Sequence, residues 1–294
     1  HDYLNKKRQR HSPLFKPDWS PRLLLSTPYA AYLTAIRRTL LAEHSYLESS
    51  HAALYGWDVL LRISRETRHV RHVAKVLYHR DAPIHPDGEA DFQQNVSSLL
   101  SEHLHRLGLT EPAVTFDAQH PMHRKYPLVT WTVPHPPRIS LIIPSRDTAT
   151  VAPLLRGLFR QTTYPDYEVI LVYNGGDGQQ ARAGFFAPYL KEPRFSLVEF
   201  DHTGRPFNFH QANHAGYAHA SGDLILFMND DTEVLDGAWL ERMAQWFALD
   251  TVGAVGPKLL FPSGAIQHAG VIFGLHGLAG HRSRAGAWAA SRPR

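Results

Sequence analysis

Residues 223–234 read Asp-Leu-Ile-Leu-Phe-Met-Asn-Asp-Asp-Thr-Glu-Val, and they indicate the fold more clearly than any other stretch. The run 224–228 is short and wholly apolar, which predicts a strand buried on both faces of a sheet. Because side chains alternate along a strand, we expect Asn229 and Asp231 to project to one side and Asp230 to the other. Open α/β sheets bind their ligands at the carboxyl edge of the strands, which is where this cluster falls.

The residue types at this strand end indicate a metal site. Carboxylate and amide oxygens suit a hard cation, Mg²⁺ or Mn²⁺, that holds a phosphorylated substrate. The alternative is a solvated turn that simply ends the strand, since Asn and Asp are common in turns. The residues alone leave both interpretations open.

Downstream of Pro134, Pro136 and Pro137, which mark a boundary, the sequence alternates between strand and helix patterns. Apolar runs predict the strands, and apolar residues at helical spacing predict the helices between them. The predicted strands are 139–143 (stopped by Pro144), 168–173, 195–200, 224–228 and 254–261, and the predicted helices are 151–160, 179–189, 208–221 and 238–247. This alternation predicts a parallel α/β sheet with right-handed crossovers. No Gly-x-Gly-x-x-Gly or Walker loop occurs, which argues against dinucleotide-binding and P-loop folds.

The upstream part of the sequence has fewer regular patterns. Helices are predicted at 35–44 and 57–64, a strand at 73–78, and a β-rich connector at 115–133. Its best pattern is an amphipathic helix over 91–107, which we expect Asp91 to cap and Gly108 to end.

Composition excludes several classes of protein. The 294 residues are 43% hydrophobic and 20% charged, as in ordinary globular proteins, and the absence of cysteine excludes disulfide frameworks and thiolate metal sites. No apolar run reaches the length of about 18 residues that a membrane span needs, and the sequence contains no charged-then-apolar leader that would predict a signal peptide. A net charge of +4 suits anionic substrates or an anionic lipid surface. No basic helix with interleaved aromatic residues occurs, so we expect no nucleic-acid partner.

Seven motifs follow one another in the downstream half. They are 140–147 (Ser-Leu-Ile-Ile-Pro-Ser-Arg-Asp), 162–169 (Thr-Thr-Tyr-Pro-Asp-Tyr-Glu-Val), 206–209 (Pro-Phe-Asn-Phe), Asn213 with Gly216, 226–234 (Leu-Phe-Met-Asn-Asp-Asp-Thr-Glu-Val), 255–259 (Val-Gly-Pro-Lys-Leu) and 266–271 (Ile-Gln-His-Ala-Gly-Val). In this order and spacing, the segment 138–281 resembles the family-two glycosyltransferases, especially bacterial ones that build surface polysaccharides. The resemblance implies a GT-A fold, which is a Rossmann-like α/β architecture with a mostly parallel sheet and helices on both faces.

The same resemblance implies roles for individual residues. The nucleotide-sugar-binding residues would be Pro144, Ser145, Arg146, Asp147, Asn174, Asn213, Asn229 and Asp230, and the ligands of Mg²⁺ or Mn²⁺ would be Asp231 and Asn229. The family usually has an Asp near the nucleotide base where this chain has Tyr173, which could stack on the base instead. Structural alternatives exist for several of these residues, because Ser145 and Asp147 are turn formers and Asn208 and Asn213 suit helix capping.

The upstream half resembles the final portion of another such domain. The similar segments are 15–21, 35–41, 57–62 and 72–80. The implied organisation is a remnant of an upstream GT-A-like domain at 1–86 (a partial α/β segment), a helical linker and β-rich connector at 87–137, a nucleotide-binding half at 138–282 and a frayed tail at 283–294. A fragment of a tandem protein, cut at both ends, is therefore expected. Each half is expected to expose apolar surface, with Leu60, Leu61, Ile63, Val271, Ile272 and Phe273 as candidates.

An inverting transferase needs a carboxylate that takes the proton of the acceptor. The resemblance places this Asp two residues before Asp58, where the chain has Gly56, so the catalytic residue stays unknown. The expected function is transfer from a nucleoside diphosphate sugar to a saccharide or lipid-linked glycan acceptor, in the cytoplasm or at the inner face of the bacterial membrane. Two alternatives remain: a catalytically incomplete nucleotide-sugar-binding fragment, and a nucleotidyltransferase, which would need a glycine-rich basic loop after the first strand.

Overall fold

The computed structural model describes residues 2–4, 8–11, 16–31, 33–43, 51–80, 89–116, 126–175, 179–201, 206–273 and 279–281. The chain divides into two compact units, His1–Thr132 and Val133–Arg294. The division falls at the start of the proline-rich stretch that the sequence marks as a boundary. None of the helices in the described ranges is long and apolar enough to cross a bilayer.

The first unit is mainly helical, with short strands. Its elements are β1 (Asp2–Leu4), β2 (Arg10–His11), α1 (Arg38–Glu43), α2 (Tyr55–Glu66), β3 (His79–Arg80), α3 (Glu89–Arg106), β4 (Thr110–Thr115) and β5 (Leu128–Thr132), with 3-10 turns at Leu23–Leu25 and Ala52–Leu54. Strands β2, β1 and β3 form one small sheet in that order, and β4 pairs with β5 antiparallel. The predicted β-rich connector is therefore a hairpin that begins five residues earlier than expected.

The core of the first unit forms around α2. The Trp57 indole Nε1 donates a hydrogen bond of 2.7 Å to the carbonyl oxygen of Leu24, which ties α2 to the first 3-10 turn. Leu60, Leu61 and Ile63 are buried, so the expectation that they are exposed is wrong. The reason is that α3, expected to act as a linker, packs on α2 and presents its own buried face, consisting of Val96, Leu99, Leu100 and Leu104.

Three local predictions in the first unit can be compared with the structure. Gly108 ends α3 as expected: it has a positive φ of 77°, and the Leu109 N–H donates to the Leu104 carbonyl at 3.2 Å. Asp91 is not the cap, because the helix already begins at Glu89. The strand predicted at 73–78 is wrong, because the strand of this region is β3 (His79–Arg80), and Val73 and Leu77 are exposed.

The second unit alternates strands and helices. Its elements are β6 (Ile139–Ser145), α4 (Thr148–Gln161), β7 (Tyr167–Tyr173), α5 (Gln179–Phe186), β8 (Phe195–Glu199), α6 (Phe209–Tyr217), β9 (Leu224–Phe227), α7 (Trp239–Ala244), β10 (Leu259–Leu260), β11 (Ile266–His268), β12 (Val271–Phe273) and β13 (Ala279–His281), with 3-10 turns at Tyr189–Lys191 and Gln245–Ala248.

Four of these strands form a parallel sheet in the order β8-β7-β6-β9. One face carries a large core in which strand residues such as Leu141 and Leu171 pack with Leu154 of α4 and Leu240 of α7. The other face carries a smaller core of Ile142, Ile170, Val172 and Ala212, the last from α6. The α/β prediction of a parallel sheet with helices on both faces is confirmed.

Two predicted strands differ from the structure. The strand predicted at 254–261 is reduced to β10, which pairs antiparallel with β11 outside the parallel sheet. Gly256 and Pro257 lie in the middle of the predicted strand, and both residues weaken strands. β9 was expected to be buried on both faces, but among the described strands it lies at the edge of the sheet, its residues are half-buried and Phe227 is 58% exposed.

Pro144 does not stop β6, which continues through it to Ser145. The Met228 N–H donates to the Ile142 carbonyl at 3.0 Å, so the even-numbered residues of this part of β6 direct their backbone polar groups towards β9. Since β9 ends at Phe227, opposite Ile142, the missing N–H of Pro144 falls beyond the last ladder position on that side. The strand therefore tolerates the proline without losing a ladder hydrogen bond.

The side chains of Val271, Ile272 and Phe273, which were expected to be exposed, lie outside the described side chains, as does the tail predicted at 283–294.

Candidate functional site

The connection from β6 to α4 carries the first group of predicted site residues. Pro144 and Ser145 are buried, and Arg146 is exposed. The carboxylate of Asp147 caps α4, because its Oδ1 accepts hydrogen bonds from the N–H groups of Ala149 (2.7 Å) and Thr150 (3.4 Å). The Ser145 hydroxyl contacts the backbone of Asp147. Ser145 and Asp147 thus make the local turn and capping contacts that were the structural alternatives to nucleotide binding.

The end of β7 carries the second group. Asn174 follows the strand, and its N–H donates to the Ser145 carbonyl at 3.0 Å, which joins the two strand ends. The side-chain Oδ1 of Asn174 is buried and has no hydrogen-bond partner among the described residues. An acceptor without a donor is unfavourable in a protein interior, which makes this atom unusual.

Tyr173 does not lie at the surface. It is 1% exposed and packs edge-on against Phe186, with 5.3 Å between the ring centroids. The guanidinium of Arg182 lies 5.8 Å from the centre of its ring and forms an ion pair with Glu199 at 2.8 Å. The expectation that Tyr173 stacks on a nucleotide base is therefore wrong, because its side chain faces the core between the sheet and α5.

The acidic segment that follows β9 is held at both ends. Upstream, the strand is paired with β6, and the segment begins level with Pro144. Downstream, Val234 packs on Gly157 of α4, where an added Cβ would lie only 3.1 Å from the Val234 Cβ. The carbonyl of Gly237 then accepts hydrogen bonds of 3.0 Å from both the N–H and the hydroxyl of Thr163. Gly157 and Gly237 therefore position this segment, a role that no sequence pattern identified.

Exposure alternates along the acidic segment. Asn229 and Asp231 are exposed and Asp230 is half-buried. The strand itself ends at Phe227, and Asp230 and Asp231 lie in a turn in which the Thr232 hydroxyl donates to the Asn229 carbonyl at 2.8 Å. The alternation expected from strand geometry thus describes the exposure of these residues, although the backbone has already turned.

Helix α6 carries the remaining residues. Asn208 caps it, since its Oδ1 accepts from the Gln211 N–H at 3.0 Å. Asn213 is buried; its Nδ2 donates to the Phe209 carbonyl at 2.8 Å, whereas its Oδ1 is buried and has no partner in the described part of the chain. The capping alternative is therefore realised at Asn208, and Asn213 lies inside the helix with one unused acceptor.

The backbone register brings most predicted site residues to one edge. Ser145 pairs with Tyr173, and Ile142 pairs with Phe227, so the segments after β6, β7 and β9 all emerge at the carboxyl edge of the parallel sheet. Residues 140–269 match the family model described as Glycosyl transferase family 2. Residues 140–269 belong to glycosyl transferase family 2.

Two relatives align along most of the length of this chain. The O-antigen biosynthesis protein RfbC of Myxococcus xanthus is 36% identical over 291 residues, which are 95% of this chain and 22% of the relative. The uncharacterized protein y4gI of Sinorhizobium fredii (strain NBRC 101917 / NGR234) is 32% identical over 276 residues, which are 91% of this chain and 30% of that protein. The chain thus spans less than a third of either relative.

Solved structures show a weaker similarity. The mannosyltransferase PcManGT from Pyrobaculum calidifontis, in complex with GDP-Man and Mn²⁺, is 24% identical with a TM-score of 0.37, and the similarity covers 44% of this chain and 37% of that one. TarS 1-349 from S. aureus, in complex with UDP-GlcNAc, is 17% identical with a TM-score of 0.32, over 42% of this chain and 38% of that one.

The described residues of this family 2 domain could hold a divalent cation only if a substrate supplied further oxygen ligands. In the part of the chain that the structure describes, no group of three or more His, Cys, Asp or Glu side chains is placed to hold a metal ion. A cage built from protein alone is thus absent from those residues. Mg²⁺ sites of nucleotide enzymes, however, usually use one or two carboxylates together with substrate phosphates. Asp231 and Asn229, the predicted metal ligands, are both exposed and would supply one carboxylate and one amide oxygen to such a site.

Proposed function

We propose that this chain binds a nucleoside diphosphate sugar at the carboxyl edge of the parallel sheet. In the parent protein, this site would serve glycosyl transfer to a cell-surface polysaccharide or a lipid-linked glycan. The observation that carries the proposal is that three neighbouring strands, β7, β6 and β9, end in polar segments at one edge within the part of the chain that belongs to family 2. The name of the Myxococcus relative, an O-antigen biosynthesis protein, supports a polysaccharide acceptor.

In the proposed donor site, each strand end contacts a different part of the nucleotide sugar. Asn174 offers its unpaired Oδ1 to a polar group of the nucleotide, and the exposed Arg146 offers a positive charge to the diphosphate. Asp231 and the amide oxygen of Asn229 hold Mg²⁺ or Mn²⁺ together with the diphosphate. Asn229 also contacts the ribose, and Asp230 contacts the nucleotide sugar. When bound, the cation supplies Lewis-acid stabilisation of the charge that builds on the departing diphosphate.

A second candidate function is donor binding without efficient transfer by this chain. It is favoured by the surroundings of Gly56, which stands in the first turn of α2 where the family resemblance expects the catalytic Asp. The nearest carboxylate in sequence, Asp58, is 3% exposed and accepts a hydrogen bond of 2.8 Å from the Arg62 Nε. A carboxylate that is buried and paired with a guanidinium is a poor base for an incoming acceptor hydroxyl.

Calorimetric titration with a panel of nucleoside diphosphates and their sugars tests the donor site. We expect at least one nucleotide to bind with Mn²⁺ or Mg²⁺ present and to bind roughly tenfold or more weakly in chelator, because a diphosphate then faces two carboxylates without a counter-ion. Asp231→Ala is expected to reduce metal-dependent binding to the level seen in chelator.

The matched control is Asp250→Ala, which removes an exposed carboxylate from the turn after the last 3-10 turn of the same unit. It is expected to bind like the unmodified chain. Equal nucleotide affinity in chelator and in Mn²⁺, or unchanged binding by a folded Asp231→Ala variant, contradicts the proposal.

A further inference from the structure

A small pocket lies between α2 and α3, entirely within the first unit and separate from the proposed donor site. It is partly open to solvent, and its empty space, including the open part, is about 200 Å³. Leu61 and Leu99 form an apolar part of its wall, and the rest of the lining is charged or titratable. Neither the family match, which begins at residue 140, nor the donor proposal gives this pocket a role.

Two of the charged pairs in the pocket lining are internally balanced. Arg62 Nε donates to Asp58 Oδ1 at 2.8 Å, and both side chains are nearly buried. Arg106 forms an ion pair with Glu102, whose other oxygen lies 3.0 Å from His51 Nε2. These contacts use the two carboxylates that line the pocket.

Arg65 is the cation of this lining that remains without a counter-ion. Its Nε is buried and has no hydrogen-bond partner, and no ion pair of Arg65 is found among the described residues. A guanidinium is always charged, and leaving a charge partly buried and unpaired is unfavourable. The pocket therefore holds an excess of positive charge that the described residues do not neutralise.

His103 reports the same excess. It is 7% exposed, and its pKa is lowered to about 4, first by burial and then by the positive charges of Arg65, Arg22 and Arg106, against the opposite effect of Asp58. The imidazole is therefore neutral at pH 7 and leaves the charge of Arg65 unchanged. An anion in the pocket would be attracted to Arg65, and both lining carboxylates are already paired with other arginines.

We propose that this pocket binds a small oxyanion, of the kind carried by phosphate and carboxylate groups, with the Arg65 guanidinium as its principal ligand. The planar fork of arginine matches the oxygens of both groups and binds them by charge-assisted hydrogen bonds. Arg106 also lines the pocket, but its charge is balanced by Glu102. The site is independent of the proposed transferase function and would remain if that function were wrong.

The test uses the full 294-residue chain at neutral pH and constant ionic strength, with sodium phosphate, sodium acetate and sodium chloride as the probes. Isothermal titration measures affinity, and the NMR signals of the His103 ring localise binding to the pocket. The decisive variant is Arg65→Met, which retains an unbranched apolar stem and removes the charge. Arg68→Met, an exposed arginine two residues after α2, is the matched control.

We expect phosphate to bind the unmodified chain and the Arg68→Met control and to shift the His103 signals. Arg65→Met should weaken that binding by at least roughly tenfold, since hydrogen bonds to charged groups are worth that factor or more. Its melting temperature without phosphate should be equal or higher, because an unpaired charge has been removed. Binding of acetate as well as phosphate would identify a carboxylate-compatible site, and binding of phosphate alone a phosphate site.

Absence of any anion effect beyond that of chloride overturns the proposal, as does unchanged phosphate affinity in Arg65→Met. If Arg65→Met does not fold, Arg65→Lys decides: weaker phosphate binding and a smaller His103 shift support the site, and unchanged affinity rejects it. The outcome is distinguishable from failure of the donor site, because any binding of phosphate there is unaffected by Arg65 and leaves the His103 signals in place.

Discussion

In the second unit, polar side chains differ between the two edges of the parallel sheet: some at the carboxyl edge are exposed, and one at the amino edge is fully hydrogen-bonded. At the carboxyl edge, Asn229 and Asp231 are exposed. At the amino edge, one carboxylate is fully used: Glu168 Oε1 accepts from the Ser140 hydroxyl (2.6 Å), the Ser221 N–H (2.7 Å) and the Ser221 hydroxyl (2.9 Å). Burial alone would raise the pKa of Glu168, but these hydrogen bonds and that from Arg138 together lower it. Glu168 at the amino edge therefore stabilises the fold, whereas ligand binding by Asn229 and Asp231 at the carboxyl edge stays a prediction.

Glu168→Gln tests the structural role of the amino edge. We expect it to lower the free energy of unfolding by about 1–3 kcal/mol at pH 7, because an amide accepts these hydrogen bonds less strongly and one of its donors is left without an acceptor. Since the folded pKa lies below the unfolded value of about 4.3, the contribution is present above that pH and is lost as pH falls through the folded pKa. The difference between the two proteins should therefore shrink in acid, as urea unfolding at several pH values measures.

The control for this change is Glu241→Gln, which removes an exposed carboxylate from α7. Surface substitutions of this kind usually change stability by less than about 0.5 kcal/mol. A Glu168→Gln variant that matches this control at pH 7 would show that the network has no net value.

Packing of whole elements depends on glycines that no periodic pattern singles out. Helix α6 approaches the sheet so closely that a Cβ on Gly216 would lie 2.5 Å from Ile142 Cγ2 and 2.7 Å from Val172 Cγ2. Gly222, just before β9, is as tightly placed, since a Cβ there would lie 2.7 Å from the backbone nitrogen of Ser140. These two positions fix how α6 and β9 pack on the sheet.

A pair of helical glycines tests this packing. Gly216→Ala is expected to destabilise the second unit by about 1–3 kcal/mol through overpacking. Gly184→Ala in α5 is its matched control, because a Cβ there meets nothing within 4 Å; alanine should stabilise that helix by about 0.5–1 kcal/mol. Thermal or urea unfolding compares the two, and equal effects of both substitutions would contradict the close approach of α6.

The elements that the sequence predicted well are those whose local pattern and packing agree. Buried strands β6 and β7 are recognisable as apolar runs, and α3 as a helix with a Gly108 cap. The pattern failed where tertiary placement decides the outcome. Tyr173 belongs to the core because α5 covers it, and 254–261 lacks the strand that its apolar residues predict because Gly256 and Pro257 interrupt it.

The candidate site was predictable at the level of strand ends but not of side-chain contacts. Asn229, Asp230 and Asp231 follow a strand in both the sequence interpretation and the structure. One carboxylate oxygen of Asp147 caps α4, and the Oδ1 of Asn174 has no partner among the described residues. Sequence spacing cannot predict either feature, because both depend on distances in the folded chain. Roles of these residues in donor binding stay predictions.

At the scale of the whole molecule, the chain spans 22% and 30% of its two relatives and contains two compact units. The first unit has its own core, in which Trp57 and Leu61 of α2 are buried. The expectation of a remnant that exposes apolar surface therefore does not describe α2. Whether this unit contributes a base to catalysis is a separate matter, and it depends on the carboxylates that α2 offers.

We expect the purified 294-residue chain to bind donor nucleotide but to transfer sugar slowly. Gly56 offers no carboxylate, and Asp58 is buried and paired with Arg62, so neither can take the proton of an acceptor. General-base catalysis contributes roughly 10²–10⁴-fold, and its loss would leave turnover near background. Release of nucleoside diphosphate from a panel of donors, with saccharide acceptors and Mn²⁺, measures the rate.

The Asp58→Asn variant tests whether Asp58 is the base. It should lower stability, because it weakens a buried ion pair, and should leave the slow rate unchanged. Fast, metal-dependent transfer that is abolished by Asp58→Asn in a folded protein would show that Asp58 is the base after all.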